Sequence, residues 1–96
     1  MSKMWKNLGM EESLMKLETK NGKLHVGDKE VLKGWESFSG WYWFATELND
    51  DGNHFGFVQG FENEWGYFSE EELKSLGNRV WEIKNVDLAY AGRREE

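Results

Sequence analysis

An unbroken run of aromatic and apolar side chains begins at residue 41, near the middle of the chain, and predicts a central β-strand at residues 41–48. Alternation places Trp41, Trp43 and Glu47 on one face of that strand and the remaining aromatic residues on the other. Because both faces are apolar along most of its length, we expect the strand to lie inside the sheet rather than at an edge.

A second strand is predicted at residues 55–61, where phenylalanines alternate with glycines. A glycine inside a strand usually marks a place where a neighbouring group comes close to the backbone. We therefore predict that the rings of Trp41 and Trp43 lie over Gly56 and Gly60, in a cross-strand aromatic–glycine arrangement. The phenylalanines of this strand then face the main core.

The next segment, residues 69–76, carries the signals of a short helix. Ser69 and Glu72 have the spacing of a capping box, in which each satisfies a free backbone amide at the helix start. The leucines of this segment, Leu76 among them, are predicted to face the core. Gly77 is predicted to end the helix in a left-handed conformation.

Turn residues divide the first part of the chain. Asn21 and Gly22 suit the positive φ angles of a type I′ turn, so residues 14–26 are interpreted as a β-hairpin. Residues 11–20 are also compatible with a helix for which Gly22 would be the cap. We favour the hairpin.

Shorter predictions fill the remaining segments. Residues 30–33 are expected to form a short strand, and residues 34–40, which begin and end with glycine, a loop anchored in part by Phe38. Alternation predicts another strand at residues 79–84, and residues 86–90 are interpreted as a last strand.

Together these elements predict an α+β fold: a twisted antiparallel sheet of five to seven short strands, curled towards a barrel, with one short helix near residues 69–76. A chain of 96 residues is expected to form one domain, residues 1–96. Residues 1–13 show no clean period, and residues 91–96 form a charged tail that we expect to be mobile.

Composition and charge narrow the classes of function. The chain has no cysteine, so a disulfide framework and a thiolate nucleophile are excluded and a cytoplasmic location is expected. No apolar run reaches the length of a membrane span. The net charge is −6, and residues 45–78 contain eight acids and one base, Lys74. Direct nucleic-acid binding is therefore disfavoured, and a basic protein partner is expected. The alternative is that these acids only keep an aromatic-rich domain soluble.

No catalytic motif, cofactor-binding motif or metal-binding spacing is present, so neither a cofactor nor a metal is predicted. Glu47, Glu62 and Glu64 are predicted to gather at one end of the sheet, close to tryptophan rings. Paired carboxylates beside such rings are typical of a glycosidase cleft or of a saccharide-binding surface. The alternative is that Glu47 caps backbone amides of the turn or pairs with Arg79 and that the tryptophans are core residues, and we favour it over catalysis.

Six tryptophans are more than the packing of so small a domain requires. Tryptophan dominates binding hot spots, so some of these residues are predicted to form an exposed aromatic surface surrounded by acids. The alternative is that all six are half-buried core residues. The residues predicted to bind a partner are Trp41, Trp43, Glu47, Glu62, Glu64 and Trp65.

Three consecutive motifs carry a resemblance to a known family. They are Trp-Tyr-Trp-Phe-Ala-Thr-Glu at residues 41–47, Phe-Gly-Phe-Val-Gln-Gly at 55–60 and Glu-Trp-Gly-Tyr-Phe-Ser at 64–69, followed by Glu72-Leu73. The combination resembles an uncharacterised family of small bacterial and archaeal proteins borne on plasmids and phages. The resemblance implies a mobile-element setting, and it implies no active site.

Three functions follow as hypotheses. The first is an acidic protein-interaction module of a mobile genetic element, which inhibits a host nucleic-acid-binding or defence protein by presenting carboxylates where phosphates would bind. The second is a module that binds carbohydrate or another small ligand through exposed tryptophans. The third and least favoured is a glutamate-dependent hydrolase, because an enzyme is not expected from this sequence.

Overall fold

The computed structural model describes residues 14–88. In these residues the chain forms, in order, strands β1 (Leu17–Lys20), β2 (Lys23–Val26), β3 (Lys29–Glu30), β4 (Lys33–Ser37), β5 (Tyr42–Glu47), β6 (Asn53–Gln59) and β7 (Asn63–Ser69), helix α1 (Glu70–Lys74), a 3-10 helix (Gly77–Arg79) and strand β8 (Val80–Glu82). The strands build two antiparallel sheets. The first has the order β1-β2-β3, and the second has the order β7-β6-β5-β4-β8.

This architecture corrects the predicted fold class. The described residues are mainly β rather than α+β, and their strands form two sheets instead of one. The larger sheet is open rather than curled into a barrel, because its outer strands β7 and β8 do not pair with each other. The prediction of an antiparallel sheet with a short helix after β7 is confirmed.

The β1–β2 hairpin forms as predicted. Asn21 has a φ of 55° and Gly22 a φ of 79°, so both central residues of the turn are left-handed, as a type I′ turn requires. Lys20 then lies directly opposite Lys23. The helical alternative is therefore wrong for residues 17–20, while residues 11–13 lie outside the described part of the chain.

Residues 34–37, which were predicted as part of a loop, belong to strand β4. Trp35 lies opposite Trp43 of β5, so its side chain belongs to the sheet. Gly34 is closely packed and not part of a turn: a Cβ atom at this position would lie 3.0 Å from a methyl carbon of Val86, which would have to shift by a few tenths of an ångström. The sequence pattern therefore misassigned a packing glycine as a loop glycine.

A β-bulge lies in the central strand. Ala45 is opposite Gly56 and Glu47 is opposite Phe55, so Thr46 is the extra residue. An extra residue inverts the alternation beyond it. Gly56 lies under this irregularity, where a Cβ atom would be 2.8 Å from the Cα of Ala45. The prediction that Gly56 accommodates a tryptophan ring is therefore wrong, because it accommodates the backbone of β5.

Two apolar clusters hold the sheets together. The first lies between the two sheets and joins residues of β2 to the face of the larger sheet that carries Phe44 and Phe57; its buried members are Leu24, Val26, Val31, Tyr42, Phe44, Phe57 and Val86. The second lies on the opposite face, under α1, and its buried members are Trp35, Ala45, Leu73 and Val80. We call the first of these faces the inner face and the second the helix face.

Helix α1 begins as predicted and ends earlier. The Ser69 side chain accepts a hydrogen bond from the Glu72 amide at 3.2 Å, which caps the first turn. The helix ends at Lys74, with Ser75 as its C-cap. Gly77 is left-handed, with a φ of 68°, but it opens the 3-10 helix. Leu76 is 43% exposed, so the prediction that it faces the core is wrong.

The last described residues also differ from the prediction. Residues 86–88 are helical and not a strand. Val86 is buried in the first cluster, and the Asp87 carboxylate accepts a hydrogen bond from the Leu24 amide at 2.6 Å. This segment therefore fastens β2 to the larger sheet. The predicted mobile tail at 91–96 and the aperiodic segment at 1–13 lie outside the described residues. None of the helices within residues 14–88 combines the length and the apolar character that a membrane crossing requires.

Candidate functional site

An uncovered group of aromatic side chains lies at one end of the helix face. We call Phe38, Trp41, Trp43 and Phe61 the aromatic surface. Phe61 is 93% exposed and Phe38 is 72% exposed, while the two tryptophans are half-buried. The Phe61 ring meets the Trp41 ring edge-on at 5.1 Å between centroids. Several neighbouring apolar rings that are exposed to solvent are typical of a binding surface.

The position of Trp41 is fixed by residues on both sides of it. Its backbone amide donates to the Ser37 hydroxyl at 3.1 Å, and its carbonyl accepts from the Ser37 amide at 3.0 Å. The ring lies over Gly60, where a Cβ atom would fall against the ring carbons. The predicted tryptophan–glycine contact is thus confirmed for Trp41 and Gly60, although it is wrong for Gly56.

A groove lies between this surface and the segment that follows α1. It has a volume of about 310 Å³ and is lined by Ser37, Phe38, Ser39, Trp41, Trp43, Leu76, Arg79 and Val80. The exposed Leu76 therefore belongs to the groove and not to the core. A largely apolar groove with one cation, Arg79, can take a peptide side chain or a short segment of chain.

Negative charge lies on the other side of the aromatic surface. Glu64 is opposite Val58, which is opposite Trp43, so Glu64 shares the helix face with Trp43. Glu62 is exposed in the turn that joins β6 to β7. The structure therefore brings together four of the six residues predicted to bind a partner: Trp41, Trp43, Glu62 and Glu64.

The other two predicted residues lie elsewhere. Glu47 and Trp65 line a separate cavity of about 240 Å³, whose walls also include Val26, Thr46 and Phe55. This cavity belongs to the inner face, where Trp65 stacks on Phe55 at 5.8 Å. Glu47 was predicted to share a face with Trp41 and Trp43, and this is wrong because the bulge at Thr46 moves it to the opposite face.

The predicted gathering of Glu47, Glu62 and Glu64 is wrong as well. Glu47 lies at the end of β5 that meets the start of β6, whereas Glu62 follows the end of β6. Glu64 also lies on the other face of the sheet from Glu47. A glycosidase needs its two carboxylates within roughly 10 Å across one cleft. This arrangement removes the geometric basis of the hydrolase hypothesis.

The opposite end of the helix face is covered by α1. Trp35 is 2% exposed, and its ring stacks on the His54 ring at 5.9 Å and meets the Phe68 ring edge-on at 5.7 Å. Leu73 of α1 packs in the same cluster. These aromatic residues are thus shielded from solvent by the helix, unlike those of the aromatic surface.

A polar group is buried in this covered end. His54 is 4% exposed; its Nδ1 accepts from the Asn49 amide at 3.1 Å, and its Nε2 donates to Glu70 at 2.9 Å. Because Nδ1 accepts from a backbone amide, the ring carries its hydrogen on Nε2. Lys33 and Lys74 each lie 3.5 Å from the same glutamate.

The surroundings of Glu70 favour its charged form. The hydrogen bond from His54, and then the positive charges of Lys33 and Lys74, lower the pKa of Glu70 against the opposing effect of burial. Both ring nitrogens of His54 are engaged within the fold. This constellation is therefore a structural network that anchors α1 to the sheet, and it offers no free base to a substrate.

Within residues 14–88 no three or more carboxylates and histidines come together as a metal-binding group. The two histidines lie on different sheets, His25 on β2 and His54 on β6. The chain was also compared with models of known protein families, with curated proteins and with solved structures. None of the three comparisons finds a match. The site is therefore interpreted from its own chemistry.

Sequence reasoning missed two members of the aromatic surface. Phe61 was assigned to the core face of β6, but β6 ends at Gln59 and Phe61 lies in the following turn. Phe38 was interpreted as a loop anchor, and it is exposed in the turn after β4. The sequence contains a signal for both phenylalanines. Each lies next to turn-forming residues, where strand alternation no longer determines the face on which a side chain lies.

Proposed function

We propose that the protein is an acidic interaction module that binds a basic polypeptide through the aromatic surface. The single observation that supports this most is the exposure of Phe61. Its ring contacts the Trp41 ring, and the rest of its surface is exposed to solvent. Burial of such a ring by a partner would contribute about 2–3 kcal/mol. Nothing in residues 14–88 buries this ring.

The charges near the aromatic surface favour a basic partner. Glu64 is exposed and forms no salt bridge within residues 14–88, and Glu62 is exposed beside it. A lysine or arginine of the partner would meet the Glu64 carboxylate while the partner's apolar residues cover the rings. Such charge pairs at the rim increase the association rate and the specificity more than they increase the affinity.

Peptide display tests the proposal directly. Random peptides would be selected on the wild-type protein and depleted on the Phe61→Ala variant, and the enriched peptides would be titrated by tryptophan fluorescence. We expect basic, apolar-rich sequences that lose at least about tenfold in affinity on Phe61→Ala, as a hot-spot residue should. Their binding should weaken as salt is raised.

The matched control is Leu88→Ala, which removes another highly exposed apolar side chain, 70% exposed, from a different part of the molecule. It should leave the affinity unchanged. Enrichment of acidic peptides, or an equal loss of affinity in both variants, would contradict the proposal.

The carbohydrate hypothesis has weaker support. The planes of Trp41 and Trp43 are tilted by 31° with centroids 5.8 Å apart, so the two rings do not form one flat platform for a sugar face. The same fluorescence titration against a glycan panel separates the two functions. A saturable response to a glycan that is lost on Phe61→Ala would replace the peptide proposal.

We extend the proposal to inhibition of a nucleic-acid-binding partner in the cytoplasm of a host of mobile elements. The support is the excess of acidic residues over basic ones in residues 45–78. Their carboxylates can occupy the cationic surface of the partner that would otherwise contact phosphates. Such a partner should release its nucleic acid when the protein is added. A stable ternary complex would contradict this extension.

A further inference from the structure

The larger sheet ends in a long strand whose outer edge is open. Strand β7 (Asn63–Ser69) has seven residues and is the first strand in the sheet order. It pairs with β6 along its whole length. Among the described residues no further backbone hydrogen bond joins β7 to another segment. The outer edge of β7 therefore presents unpaired amide and carbonyl groups at alternate residues.

This edge differs from the other edge of the sheet. Strand β8 has three residues and continues a 3-10 helix, so it offers little length for pairing. Natural edges are usually guarded by lysine, proline or a bulge. In β7 the register with β6 is unbroken, and Glu64 is the one charged residue. Such an edge is suited to accept another strand.

The side chains along β7 indicate what kind of strand fits. On the inner face Tyr67 is 66% exposed, and its ring meets Phe55 edge-on at 5.0 Å. Trp65 continues this aromatic row. On the helix face Gly66 has open space where a side chain would be, beside the exposed Glu64. An added strand would thus meet aromatic rings on one face and a carboxylate on the other.

Charge decides between a second copy and a different partner. An antiparallel second copy with full overlap, centred on Gly66, would place Glu62 of each copy opposite Glu70 of the other, at both ends of the interface. Like charges across a strand pair are destabilising. A strand with lysine or arginine on one face and apolar residues on the other would place its cations near the carboxylate and its apolar side chains against the aromatic rings.

We propose that the outer edge of β7 binds an extended, basic and amphipathic segment of another protein as a sixth antiparallel strand. Backbone hydrogen bonds along β7 supply the affinity, and alternate side chains supply the specificity. The partner's apolar residues cover Trp65 and Tyr67, and a cation lies against Glu64. This site shares Glu64 with the rim of the aromatic surface, but its backbone contacts along β7 do not depend on the function proposed for that surface.

A set of designed peptides tests this inference. A blocked nine-residue peptide of alternating lysine and valine would be titrated into ¹⁵N-labelled protein, with a glutamate–valine peptide and a centrally proline-substituted peptide as controls. We expect the lysine–valine peptide to shift the β7 amides and to slow hydrogen exchange at alternate residues. The proline peptide, which cannot pair along its length, should do neither.

Two variants decide what the shifts mean. Glu64→Lys leaves the backbone intact. It should lower the affinity for the lysine–valine peptide by about fivefold and raise the affinity for the glutamate–valine peptide, as expected for cross-strand charge pairs. Phe61→Ala should leave both peptides unaffected, which separates this site from the aromatic surface. Shifts confined to Trp41 and Trp43, unchanged β7 amides, or a wild-type dimer formed through β7 would each overturn the inference.

Discussion

The two ends of the helix face contain the same kinds of residue in opposite environments. At one end, which we call the covered end, Trp35, His54 and Phe68 stack under α1. At the other end, Trp41 and Phe61 also contact each other, but no helix from the described part of the chain lies over them. Aromatic content alone therefore does not distinguish a core from a binding surface. The position of the covering element does.

The length of α1 explains why only one end is covered. The helix has five residues, which corresponds to about 7.5 Å of helix. Its cap at Ser69 starts it directly at the end of β7, beside His54 and Phe68. Leu73 reaches Trp35 and Val80, and beyond it Leu76 and Arg79 line only the groove beside Trp41 and Trp43.

The largest expected contrast between the two ends is in stability. Trp35→Ala removes a fully buried ring and should lower the free energy of unfolding by about 4 kcal/mol. Trp41→Ala removes a half-buried ring from the open end and should cost about 1 kcal/mol. Urea denaturation followed by circular dichroism measures both without relying on tryptophan fluorescence. Equal losses would mean that the two ends contribute alike to the core.

The next largest effect concerns the polar network under α1. Glu70→Gln removes the charge that His54, Lys33 and Lys74 stabilise, and it should cost about 1–2 kcal/mol at neutral pH. Because the folded state lowers the pKa of Glu70, its contribution is present above the pKa of the unfolded chain and is lost as the pH falls through the folded value.

The pH dependence provides the control for this prediction. Wild-type stability should fall on acidification through the range in which Glu70 takes up its proton, and the Glu70→Gln variant should lose that part of the fall. The two unfolding curves should therefore converge at low pH. A constant difference between them at every pH would show that the substitution acts through packing and not through charge.

The local elements of the fold were predictable where a short motif determines the backbone. The Asn21-Gly22 turn and the Ser69 cap both formed as expected, since each depends on neighbouring residues alone. The pairing of Trp41 with Gly60 was also correct, because the two strands alternate regularly at that end.

The failures share one physical cause, which is a tertiary contact that local sequence does not encode. The bulge at Thr46 moved Glu47 to the other face and dispersed the expected carboxylates. Gly34 was interpreted as a loop residue, although it is small because Val86 packs against it. The division into two sheets depends on similar long-range packing between β2 and the inner face.

The contrast between the covered and the open end can be tested most directly with one pair of matched variants. Phe68→Ala and Phe61→Ala make the same change in the same hairpin: Phe68 lies in β7 opposite His54, and Phe61 lies in the turn that precedes β7. Both would be measured by urea denaturation at the same pH and salt. We predict a loss of about 2–3 kcal/mol in the free energy of unfolding for Phe68→Ala, and a change within about 0.5 kcal/mol for Phe61→Ala. A comparable loss for Phe61→Ala would show that its ring is part of the core, and the aromatic surface would then not be a binding site.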